Sequence, residues 1–136
     1  MAYSNLRNAL SFVAAADLSS HQFKIVELAS TEKQCRLAEG GEGFGVLQNH
    51  PESGEHATVM TDGETKVIAG AALAYGNYVT AKSGGWAIPV NSGDVPPLLI
   101  MGRVMTAAAS GGIATVHISR MLAHNVVSGS IAAALP

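Results

Sequence analysis

The chain has 136 residues, of which 48% are hydrophobic and 13% charged, against about 25% charged in an average soluble domain. Its formal net charge is −2, with eight Lys and Arg residues scattered along it. That pattern lacks the basic patch or stripe that marks nucleic-acid binding. The length favours one domain with short extensions, and the sparse charge favours an assembly component that buries surface against partners.

The apolar content comes from small residues. There are 15 glycines but one Trp, three Phe and three Tyr, so the expected core is thin and oligomerisation would add the burial it lacks. Cys35 is the lone cysteine, which excludes an internal disulfide and a thiolate metal cluster. In Lys33-Gln34-Cys35-Arg36-Leu37, alternation puts Cys35 on the face of Leu37, as a small buried hydrophobe, in a chain suited to a reducing compartment. Residues 7–16 resemble a signal peptide faintly, but the apolar run is short and broken by Ser11. No stretch is long and apolar enough to span a bilayer as a helix.

Three parts are expected: an N-terminal arm over 1–19, a strand-rich body over 20–119 and an apolar tail over 120–136. In the arm, Leu6, Leu10, Val13 and Ala14 fall on one helical face with Ser4 as a cap. An extended arm that orders on a partner fits the same residues. The body opens with His21 to Ile25, an alternating run with Phe23 and Ile25 inward. Cys35 and Leu37 continue the pattern, and Gly43 to Leu47 reads as a glycine-rich strand. Asp62-Gly63 between Ala57–Met60 and Thr65–Ile68 predicts a hairpin. A second hairpin is predicted around Ser83-Gly84-Gly85, between Tyr78–Thr80 and Trp86–Ile88.

Asn91 to Asp94 then reads as a turn. Leu98 to Met105 is a long apolar strand with a bend or bulge at Gly102. Ser110-Gly111-Gly112 turns the chain into Ile113 to Ile118. Turns recur within the spacing of sandwiches and barrels, so the fold class is all-β: a small barrel or sandwich. The tail is too apolar to stay unattached without risk of aggregation.

Chemistry is hard to find. His50 and His56 bracket Glu52 and Glu55, which could converge on a metal, but Pro51 to Gly54 is ordinary turn chemistry. No nucleophile elbow occurs. Gly40 to Gly45 lacks the spacing and the Gly-Lys-Ser/Thr of a phosphate loop. Lys66 has none of the context of a carrier lysine and reads as an exposed strand residue. His117 alternates with Thr115 on a polar face. The expectation is no catalytic residue, no cofactor and no metal. A metal enzyme built on His50, His56 and Asp62 stands as a remote alternative. A glycan-binding module centred on Trp86, with Tyr75 and Tyr78, is a nearer one.

Gly45-Val46 followed by Pro51 forms a strand-ending "G-V-x-x-x-x-P" step. Ala57-Thr58-Val59, Gly63, Lys66-Val67 and Ala69-Gly70 form a strand–turn–strand, followed by the small-residue stretch Ala72 to Thr80. Gly102 to Ala108, Gly111 and Val116-His117-Ile118 form an ending. Together, from about Gly40 to Ile118, these resemble the decoration, or cement, proteins of tailed-bacteriophage heads. The arm and the tail have no counterpart in that pattern.

The resemblance implies a β-barrel or β-tulip and a homotrimer at local three-fold positions of the virion's outer surface. It implies contact with the major capsid protein, without nucleic acid, membrane, cofactor or catalysis. The arm residues Tyr3, Leu6, Leu10 and Phe12 are the expected partner contacts, lying across capsid subunits or adding a strand to a sheet edge. The alternative within the same class is a phage tail, baseplate or head-fibre component.

Overall fold

A computed structural model describes residues 9–39, 42–90, 98–123, 126–127 and 130–131. The described residues contain strands and turns and no helix, in agreement with the all-β expectation. Two sheets carry the fold. The first is a closed barrel of β1 (Ala9–Ala14), β2 (Ile25–Leu28), β3 (Gln34–Leu37), β4 (Gly45–Leu47) and β5 (His56–Met60), in the order β1-β3-β2-β4-β5.

The second sheet runs β6-β10-β9-β7-β8. Its strands are β6 (Gly63–Ile68), β7 (Tyr78–Lys82), β8 (Trp86–Pro89), β9 (Leu98–Thr106) and β10 (Ile113–Ala123). Its edges approach each other: Ala69 bridges Ala87 in parallel, and the Gly70 amide donates to the Ala87 carbonyl at 2.8 Å. β11 (Val126–Val127) and β12 (Ser130–Ile131) form a small antiparallel ladder.

Between residues 1 and 19, the segment Ala9–Ala14 is extended. β1 pairs antiparallel with β5, from Ala9↔Met60 to Val13↔His56, and parallel with β3 at Val13↔Gln34. A strand has a side-chain period of two, so Leu10 and Ala14 share a face and Val13 points away from them. The helical stripe is therefore not formed here. Closure of the barrel explains the choice, because β1 satisfies the edges of both β3 and β5.

Asp62-Gly63 does not close a hairpin. β5 belongs to the barrel and β6 to the second sheet, so the turn carries the chain from one to the other. Gly63, at φ 118°, supplies the conformation that crossing needs. The local signal for a turn was right, but the partner of each flanking strand is set by non-local pairing.

His21 to Lys24 precedes β2 instead of belonging to it. Phe23 adopts φ 68°, costly for a bulky residue. Its amide donates to the Leu47 carbonyl at 2.8 Å and its carbonyl accepts from the Ile68 amide at 3.0 Å. This bend ties the barrel to the second sheet.

The other turn readings agree with the structure. β7 and β8 pair from Val79↔Pro89 to Lys82↔Trp86 around Ser83-Gly84-Gly85, with Gly84 and Gly85 at positive φ. The hairpin tip reaches into the barrel: the Ile25 amide donates to the Gly85 carbonyl at 2.8 Å, and the Gly84 amide to the Ala38 carbonyl at 2.9 Å. β9 and β10 pair around Ser110-Gly111-Gly112, with register shifts between Thr115 and Val116 and between Ile118 and Met121. Gly102 lies opposite Ile118, beside the second shift, and a Cβ there would run into the His117 carbonyl. The turn expected over Asn91 to Asp94 and the run at Gly40-Gly41 lie outside the described residues.

Two clusters form the core. One fills the barrel with Ala14, Leu18, Val26, Cys35, Leu47, Ala57 and Val59. The other joins second-sheet residues such as Val67, Val79, Met101, Val104 and Ile118 to the barrel residues Ile25, Ala38 and Val46. Small side chains dominate both, as the composition predicts.

Candidate partner-binding surface

Leu10 and Phe12 lie on β1 and have different surroundings. Leu10 remains 47% exposed although it sits opposite Val59. Phe12 is half-buried and meets the Phe44 ring edge-on, with centroids 5.6 Å apart, so much of its area already serves the barrel. Tyr3 and Leu6 lie outside the described residues.

The polar candidates do not converge on a reaction centre. His56 Nε2 lies 3.0 Å from Thr58 Oγ1, and Glu55 Oε1 accepts from the Glu52 amide at 2.8 Å. Among the described residues no group of three or more His, Cys, Asp and Glu side chains is placed to hold a metal. Cys35 is buried and free, and burial pushes its thiol pKa up, away from a reactive thiolate. His117 is exposed on β10, as its alternation predicts.

The cations are held by rings more than by carboxylates. Lys24 Nζ lies 4.0 Å from the Trp86 ring centre, and Lys66 Nζ 5.8 Å from that of Phe23. The Arg103 and Arg120 guanidiniums each lie 4.7 Å from a ring centre, those of Tyr78 and Phe44. Among the described residues Arg36 makes an ion pair, to the buried Glu27 at 2.8 Å. Lys24 thus occupies one face of the Trp86 indole, and Gly70 packs against the Trp86 Cβ.

A surface that sequence reading did not assemble lies on the second sheet. Tyr75 is 75% exposed and Met105 45% exposed. Both line a shallow depression with Gly76, Arg103 and Val104. An adjoining depression shares Arg103 with Tyr78, His117 and Met121. The turn that carries Tyr75 is pinned: the Ala74 amide donates to Asn77 Oδ1 at 2.9 Å, the Gly76 amide to the Val104 carbonyl at 2.9 Å, and the Val104 amide to the Asn77 carbonyl at 2.8 Å. Met105 is the unpaired residue where β9 shifts register, since Thr106 faces Thr115 and Val104 faces Val116. Bulges and turns that aim side chains outward are set by pairing between distant strands, so a sequence scan has no local signal for this cluster.

The fold is shared with a solved phage protein. The chain is similar to the head fiber gp8.5 N base in bacteriophage phi29, with a TM-score of 0.65 and 18% identity, covering 82% of this chain and 92% of that one. No curated protein matches it significantly. The family model described as phage cement protein matches residues 6–120. That span includes β1, which the sequence resemblance had left out. It ends inside β10, near the expected start of the tail. On that match, which spans most of its length, the chain belongs to the phage cement protein family and serves a structural, decorating role on a phage head.

Proposed function

We propose that the protein is a non-enzymatic cement that binds the outer surface of a phage head as a homotrimer, bridging major capsid subunits and stabilising the shell. The family match over residues 6–120 carries this reading. The physics is consistent with it. Sparse charge, a thin core of small residues and exposed Leu10, Leu28, Tyr75, Met105 and Leu122 suit a protein that gains stability by mass action on a partner. The N-terminal segment contributes one contact, with Leu10 as its described residue and Tyr3 and Leu6 preceding it.

Electron cryo-microscopy of undecorated shells mixed with the purified protein tests the reading, with its solution mass recorded alongside. Density on the outside of the shell at three-fold or quasi-three-fold positions is the expected result. Clean shells beside a soluble protein would refute it and favour a tail, baseplate or head-fibre component, for which the fold likeness to the head fibre base is the specific observation.

A further inference from the structure

Arg103 is held in place before any partner arrives. Its Nε donates to the Gly76 carbonyl at 3.0 Å, and its guanidinium lies 4.7 Å from the Tyr78 ring centre. Gly76 is itself bonded to Val104 through its amide, so the acceptor cannot drift. Nε is thereby satisfied, and no described residue takes the two terminal amino groups, which keep their donors for an outside acceptor. A fork fixed on two sides has already lost much of the rotamer freedom that binding would otherwise remove.

Among the described residues no carboxylate pairs with that fork. In the cross-strand row Glu64–His117–Arg103–Tyr78, the acid is two strands from the arginine, about 10 Å away at ordinary strand spacing. Around the fork stand Tyr75 on its pinned turn and Met105 at its register shift, both exposed. Tyr, Arg and Met are the residue types enriched where proteins bind proteins, and rigid aromatic and arginine anchors account for most of the energy there.

We propose that Arg103, with Tyr75, Tyr78 and Met105 around it, is the point through which the protein grips a carboxylate-bearing segment of a capsid subunit. The inference rests on the cement reading and names the chemistry of the contact. The complementarity is one of charge and shape: the two terminal amino groups of a planar fork take one carboxylate end-on through two parallel hydrogen bonds, while Tyr75 and Met105 cover apolar atoms beside it. A polyanion is a poor fit, since one fixed cation with no Lys or Arg beside it in the described cross-strand row offers little counterion release.

Shells lacking decoration would be titrated with the full-length protein and its Arg103→Ala, Arg103→Lys and Tyr75→Ala variants. Bound protein would be measured after sedimentation, with the thermal midpoint and solution mass of each variant recorded. The wild type should bind. Arg103→Ala and Tyr75→Ala should each weaken binding by about thirtyfold, the scale of an interface hot spot. Arg103→Lys should recover only part of the loss, since an ammonium keeps the charge but not the fork. Equal binding by all variants would overturn the inference and leave the cement reading standing. A changed solution mass with unchanged shell binding would overturn it too, by making the face a contact between copies. A wild type that does not bind would bring down the cement reading and the inference together.

Discussion

At the scale of single residues, the low charge content makes each buried polar group consequential. Glu27 is 5% exposed and receives Arg36 Nε at 2.8 Å and the Glu39 amide at 3.2 Å. Arg36→Ala would leave the carboxylate with the amide alone. Because the Arg36 side chain is 47% exposed, water offsets part of the loss, so Arg36→Ala should lower the urea midpoint, but by less than the breaking of a fully buried pair would. His21 gives a pH dependence. Its Nδ1 is buried without a hydrogen-bond partner. Burial first, then the charge of Lys24, lowers its pKa below the ordinary 6.5, against the opposing pull of Asp17.

A histidine with a lowered folded-state pKa binds fewer protons folded than unfolded. Its contribution to stability is therefore present above pH 6.5 and declines as the pH falls through that value towards the folded pKa. Urea midpoints measured between neutral pH and the onset of carboxylate titration should fall in the wild type and fall less in His21→Gln. Equal slopes would show that His21 does not carry the effect.

At the scale of elements, β1 settles how the N-terminus should be tested. Deleting residues 1–19 would remove a barrel strand, exposing the edges of β3 and β5 and the Phe44 ring that Phe12 covers. That variant should lose its folded far-UV signal or aggregate on gel filtration, so its failure to bind a shell would say nothing about contact. Deleting residues 1–8 stops short of β1, which begins at Ala9. This variant can report on contact with the shell when its thermal midpoint is recorded alongside: lost binding at an unchanged midpoint is the expected result, and unchanged binding would refute a contact through these residues.

Elements also mark where local reading succeeds. Ser83-Gly84-Gly85 and Ser110-Gly111-Gly112 close hairpins because both flanking strands lie in one sheet. Asp62-Gly63 carries the same kind of signal between strands that part company.

For the whole molecule, the barrel and the second sheet share a core through Ile25, Ala38 and Val46, and the Gly84-Gly85 tip bonds into the barrel. Unfolding should therefore be a single cooperative transition. Trp86, the lone tryptophan, sits in β8 of the second sheet. Its fluorescence and the far-UV circular dichroism of the whole chain should give coincident midpoints in denaturant. A fluorescence midpoint displaced from the circular dichroism midpoint would show that the two sheets melt apart.

By itself, the sequence determined the fold class, the all-β body from alternating runs and glycine turns, and the family through the order of its small-residue steps. It also predicted the buried Cys35 and the turns that pair neighbouring strands, since these depend on side-chain period and on φ at one or two residues. Tertiary structure decided that residues 9–14 complete a barrel, that Asp62-Gly63 separates two sheets and that Phe23 bends between them. It alone brought Tyr75, Arg103 and Met105 to one surface. These are matters of which distant backbone edges satisfy one another, and a strand's polar groups can pair with any edge of suitable register. Local sequence sets the period of a strand, while closure of the barrel and burial of a shared core choose its partner.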